Sequence, residues 1–146
     1  MITVEVNGVK ELLADLKALP QKLEKDVILR MSQIAFDSAD RGADRHTKTG
    51  ALRRSLTNKP SPGGRTVGHN TTQAPQAVFV NFGTRSHEIM PKTKKALRWA
   101  GPNGFIFAKV VPNHPGYIGD NYITRAKDDA LAKFETIVSA VLKESL

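Results

Sequence analysis

The residues best suited to acid–base or metal chemistry are four histidines, His46, His69, His87 and His114, and no cysteine accompanies them. No two histidines stand at the short spacing of a zinc motif. Without cysteine there is no disulfide framework, no thiolate metal site and no thiol catalysis. Ser86-His87-Glu88 contains the residue types of a hydrolytic triad, but neighbours in an extended chain point to opposite faces and form no relay. His87 and His114 can meet in the fold as base or metal ligands, or serve as turn residues. Asp37, Asp40 and Asp44 share a helix face, yet Arg41 and Arg45 interleave them and no glycine-containing calcium loop follows. They read as a solvated, ion-paired face. Glu88 is the sole carboxylate between residues 48 and 109, so a paired-carboxylate mechanism would draw on acids from distant helices. Pro60-Ser61-Pro62-Gly63-Gly64 lacks the Lys-Ser/Thr end of a phosphate loop. A basic nuclease would use His87, Lys94, Lys95 and Tyr117, whose spacing carries no signature. The expectation is a protein that is not an enzyme, with no catalytic residue, metal site or cofactor.

Charge carries more information than any motif. Residues 1–47 hold seven Lys/Arg against eight Asp/Glu, and residues 110–146 hold four against five. Residues 48–109 hold eleven against one, so the net charge of +8 resides wholly in the middle. A polyanionic neighbour, either nucleic acid or an acidic protein surface, explains such asymmetry; a solvated basic face does so equally. Lys92, Lys94, Lys95 and Arg98 beside Trp99 combine phosphate-seeking charge with a stacking surface, unless Trp99 is core. That combination supports an alternative reading, a soluble basic nucleic-acid-binding protein.

The elements that must position these residues follow from periodicity. The chain of 146 residues suits one domain, 1–146. Met1–Val6 alternates weakly, as an edge strand or arm. It lacks a basic leader followed by an apolar stretch, and no run approaches the ~18 apolar residues of a membrane span. Synthesis and folding in a cytosol, with no membrane partner, is the expectation. Asn7-Gly8 caps a short helix carrying Leu12, Leu13, Leu16 and Leu19. A longer helix is predicted from about Pro20 to Arg45, with Leu23, Val27, Met31, Ile34, Ala35 and Ser38 inward and Asp26–Arg30 and Asp37–Arg41 paired outward. After Thr49-Gly50, the segment Ala51–Leu56 begins a sheet, and a turn at 60–64 returns through Arg65–His69. Ala77–Phe82 reads as a largely buried central strand stopped by Gly83, and Phe105–Val111 as a second strand. Arg85–Gly104 between them reads as an extended, mobile basic loop anchored by Trp99. Ile123, Ala126, Ala130, Phe134, Ile137 and Val141 mark one C-terminal helix. The fold class is α+β: a small, mostly antiparallel sheet packed with two N-terminal helices and a C-terminal helix.

Three segments, in order, resemble a family of bacteriophage virion proteins, the small tail-completion or head–tail joining proteins of long-tailed double-stranded DNA phages. They are Thr49-Gly50-Ala51-Leu52-Arg53-Arg54-Ser55-Leu56, Val78-Phe79-Val80-Asn81-Phe82-Gly83-Thr84, and His114-Pro115-Gly116 with Ala126 ahead of a C-terminal helix. The chain departs from the family at Asn81, where many members have Glu, and at Asn121-Tyr122, where Pro-Phe is common. The resemblance implies a structural neck or minor tail protein, made in the host bacterial cytoplasm and residing in the virion. It implies a ring of copies, usually hexameric, between tail tube and head connector, with non-specific contact to packaged DNA open to it. Thr49, Gly50, Leu52, Ser55, Phe82, Gly83, Thr84, Trp99, His114, Pro115 and Gly116 are then structural. Arg53, Arg54, Arg85, Lys92, Lys94, Lys95 and Arg98 are the candidates for inter-ring or polyanion contact.

Overall fold

The computed structural model describes residues 2–5 and 21–145, so the expected helix around Leu12–Leu19 lies outside the described residues. The longest element is helix α1, Gln21–Asp44, close to its predicted span. It buries Leu23, Val27, Met31, Ala35, Ala39 and Ala43 along one side. The spacing is the four-residue repeat of a helix ridge, and from Ala35 onward the inward residues are small. Gly42 completes that run: a Cβ there would stand 2.5 Å from the Cβ of Tyr122, so the neighbouring helix approaches nearly to backbone contact. Ser38, predicted inward, is instead half-buried and donates to Asp129.

The sheet against this helix has the order β1–β3–β2, all antiparallel, with β1 Ile2–Glu5, β2 Leu56–Ser61 and β3 Gly64–His69. Ile2 and Leu56 both pair with His69, and the β2–β3 hairpin closes with Ser61 opposite Gly64. The segment predicted to start this sheet first makes a short helix, α2 Ala51–Arg54. Gly50 precedes it with φ 75°, a left-handed conformation that suits glycine and breaks the path from α1. Leu52 is thereby turned inward at 2% exposure.

Ala77–Phe82 is not the predicted central strand but a helix, α3. Its inward residues are Ala77 and Asn81, four apart, and Phe79 and Phe82 face outward. Period four rather than two decides it, and local β propensity yields to packing. The C-terminal stripe is divided between α4 Tyr122–Ala132 and α5 Phe134–Ser145, with Lys133 at the break. Helices α1, α4 and α5 form one layer over the three-stranded sheet, with Val67, Tyr122, Ile123, Ala126, Ile137 and Val141 in the shared core. The class is α+β, with a long helix near the N-terminal side and helices at the C-terminal end. Among the described residues no helix is long and apolar enough to cross a membrane.

Everything between α3 and α4 forms a third structure. Six short strands nest as antiparallel pairs: β4 Gly83–Thr84 with β9 Tyr117–Ile118, β5 His87–Ile89 with β8 Val111–His114, and β6 Leu97–Gly101 with β7 Gly104–Ala108. This is one interrupted hairpin, an arm, turning at Pro102-Asn103. The predicted loop 85–104 is its outgoing leg. The second predicted strand, 105–111, is its returning leg, interrupted between Ala108 and Val111. Neither leg is core.

Candidate assembly interface

The arm starts from a root held by glycines and backbone hydrogen bonds. Gly83 (φ 79°) and Gly116 (φ 81°) lie in the region that favours glycine, and Gly119 has no room for a side chain. A Cβ at Gly119 would stand 2.4 Å from the Asn81 carbonyl oxygen and the Gly83 nitrogen. One at Gly83 would stand 2.3 Å from the Tyr117 carbonyl. The outgoing and returning legs therefore cross at backbone distance. Asp120 N donates to Val80 O at 3.0 Å and Asn121 N to Asn81 O at 2.9 Å.

Asn81, fully buried, links root to body. Its Oδ1 accepts from the Ile123 amide at 3.0 Å, capping the start of α4 from 42 residues away. Its Nδ2 is buried without a partner. Asp120 fastens the other side: His46 Nε2 lies 2.6 Å from its Oδ2, Arg45 lies 3.2 Å away, and Arg125 bonds its Oδ1. Burial alone would raise this carboxyl's pKa, but hydrogen bonds from His46 and Arg125 and the charges of Arg125 and Arg45 outweigh it and hold it low.

Behind the root is a fully buried polar chain. Ser55 Oγ lies 2.7 Å from the Leu52 carbonyl and 2.8 Å from His69 Nδ1, and Tyr122 OH lies 2.6 Å from His69 Nε2. One assignment satisfies every atom: Nδ1–H donates to Ser55, Ser55 donates to Leu52, and Tyr122 donates to Nε2. That holds His69 neutral. Burial also lowers its pKa, with the Leu52 carbonyl opposing, and burial raises that of Tyr122 with help from the Asp120 charge. The serine of the Thr49–Leu56 segment thus lies buried within this polar chain.

The arm itself is exposed. Cross-strand partners share a face, so register sorts the tip into two. Leu97, Trp99, Ile106 and Ala108 form an uncharged face; Arg98, Ala100, Phe105 and Phe107 form the other. Phe105 is 60% exposed, Phe107 65% and Ile118 at the root 93%. Trp99, at 40%, is a surface residue and not core. A lone two-stranded ribbon with apolar side chains on both faces gains little from folding until something covers it.

The predicted contact residues divide between arm and body. Arg85, Lys92, Lys94, Lys95 and Arg98 are all on the arm and exposed, joined by Lys109. Arg53 is not available in the same way: its Nε donates to Asp40 Oδ1 at 2.8 Å and its Nη1 to Asp44 Oδ1 at 3.0 Å. The Arg53 hydrogen bond holds the Asp40 carboxyl below its usual range. Arg54 is exposed on the body beside Gly50. The outward ion pairs predicted along α1 are replaced: Arg30 reaches Glu144 of α5, and Asp37 accepts from Gln33 at 2.8 Å.

The nuclease candidates do not converge. Tyr117 pairs with Thr84 at the root, His87 lies further out, and Lys94 and Lys95 lie beyond β5. His87 and His114 do meet, as cross-strand partners with ring centroids 5.0 Å apart. Their Nδ1 atoms are locally engaged, with the Arg85 carbonyl at 2.7 Å and the Gly116 amide at 3.2 Å. Among the described residues no group of three His, Asp or Glu side chains is placed to hold a metal. A cleft of about 390 Å³ between α1 and α4 is lined by Arg41, Arg45, Arg125, Asp128 and Asp129, whose opposite charges leave little net field.

Sequence reasoning missed the buried Ser55–His69–Tyr122 chain, the Asn81 cap and the Asp120 clamp. The arm had one signal that could have revealed it. Residues 83–118 place six Lys/Arg and one acid around the apolar run, an improbable setting for a core strand. Comparison with family models, curated proteins and solved structures returns no match.

Proposed function

We propose that this chain is a bacteriophage virion protein of the tail-completion or head–tail joining type, assembling through its arm into a ring at the junction of tail tube and head connector. The observation that supports this reading most is the arm: a glycine-rooted ribbon with exposed apolar side chains on both faces of its tip, set apart from the helical layer. A subunit that must join identical neighbours needs such a surface, ordered by contact and not by its own core. The resembled segments also fall at structural pivots. Thr49-Gly50 precedes α2, Ser55 enters the buried polar chain, and Phe82-Gly83-Thr84 and His114-Pro115-Gly116 form the two sides of the arm's root.

The test is light scattering after size exclusion across concentration, comparing the native protein with Trp99→Asp/Ile106→Asp. The native chain is expected to grow with concentration to a closed stoichiometry, and the double variant to remain monomeric. A variant that assembles like the native protein counts against the arm. A native chain monomeric up to millimolar concentration removes self-assembly from the reading.

A further inference from the structure

The face of the hairpin that carries Arg98, Ala100, Phe105 and Phe107 has a chemistry of its own, distinct from the uncharged Trp99–Ile106 face. Phe105 and Phe107 are two residues apart on one strand, so their rings stand roughly 7 Å apart on the same side. Both are more exposed than Trp99 and Ile106 behind them. The Arg98 guanidinium carbon lies over the Phe105 ring, 4.2 Å from its centroid, within cation–π range. Lys92, Lys94 and Lys95 precede this ribbon and Lys109 follows it, all exposed, with Glu88 as the arm's sole acid.

We infer that this face is a docking ribbon for single-stranded nucleic acid, with unpaired bases stacking on Phe105 and Phe107 and the phosphates held by Arg98 and the flanking lysines. Charge selects a polyanion: the arm carries six cations to one acid. The rings select unpaired bases, because a paired base offers its edges to a groove and its face only to its neighbours in the stack. An acidic protein surface would meet the lysines but leave two phenyl rings without a use. The inference concerns one face of the hairpin and is independent of whether the other face joins subunits.

The experiment is fluorescence anisotropy of labelled oligo-dT of about 20 nucleotides, longer than one such site, and of a duplex of the same length, across a salt series. Preferential binding of the single strand is expected. Phe105→Leu/Phe107→Leu keeps the apolar area but removes the ring faces, and should weaken binding at least about tenfold. Lys94→Gln/Lys95→Gln should lower the slope of log affinity against log salt by about 1.4, at about 0.7 per phosphate contact. Leu29→Ala, at an exposed apolar position on α1 away from the arm, is expected to leave affinity unchanged. Equal or tighter binding of the duplex overturns the inference, as does full affinity in the double leucine variant. A thermal transition equal to the native protein's in each variant excludes misfolding as the cause.

Discussion

His69 is enclosed on both ring nitrogens by neutral partners, so adding a proton would leave Tyr122 OH with no acceptor and a charge in the core. Replacing Tyr122 by Phe keeps the ring and strands Nε2, a change expected to cost about 1–3 kcal/mol in urea unfolding. The same chain sets a pH dependence. Burial lowers the His69 pKa in the folded state, so the unfolded chain binds the proton first. Stability is then complete above the ordinary histidine value and declines as pH falls below about 6.5, by up to ~1.4 kcal/mol per pH unit. Asp40 and Asp120, whose carboxyls are held low, also lose stabilisation on acidification, but only below about pH 4. A urea midpoint that stays flat between pH 7 and 5.5 would contradict the assigned neutral tautomer. None of this was legible in the sequence, where His69 stands between glycine and asparagine with no partner nearby. Its partners come from positions 55 and 122, and only the closed fold brings them together.

At the scale of elements, the helices were legible wherever one face is continuous. The stripe of α1 and the residues of α4 and α5 repeat every three or four positions over two or more turns. Of the β2–β3 hairpin, the turn and the return strand were legible from the Pro-Gly signal, whereas the outgoing strand, expected at Ala51–Leu56, runs Leu56–Ser61 through Pro60. Helix α3 was not: six residues rich in valine and phenylalanine fit both periods, and burial of Ala77 and Asn81 decides between them. The arm was misread because alternation of apolar residues reports a ribbon but not whether a second layer covers it. Its root offers a test that separates close packing from glycine content. Gly119→Ala forces a Cβ against the Asn81 carbonyl and the Gly83 amide and is expected to destabilise by about 1–3 kcal/mol. Gly64→Ala meets nothing within 4 Å and has no positive φ, so its effect should stay within about 0.5 kcal/mol. Thermal unfolding of the two variants, side by side, measures the difference.

At the scale of the whole molecule, body and arm divide the work. The body is closed by α1 against α4, α5 and the sheet, with Arg30 of α1 paired to Glu144 near the end of α5. The strands of the arm pair with one another and pack little on the helices. Replacing residues 86–114 by a short Gly-Ser turn is therefore expected to leave the thermal midpoint within about 4 °C of the native value. The same deletion should abolish both association and oligonucleotide binding; a body that unfolds without its arm would show that the arm belongs to the core. The bond from Ile123 to Asn81 has a further consequence. It fixes the two ends of the arm to each other, whatever lies between them. Closing a chain segment costs free energy only as the logarithm of its length, about 0.6 kcal/mol per doubling. Each residue added to both legs moves the tip outward by about 3.3 Å. The body is thus nearly indifferent to the distance the arm spans, and that distance behaves as a ruler, free to lengthen or shorten to meet a neighbour while the core beneath it is unchanged.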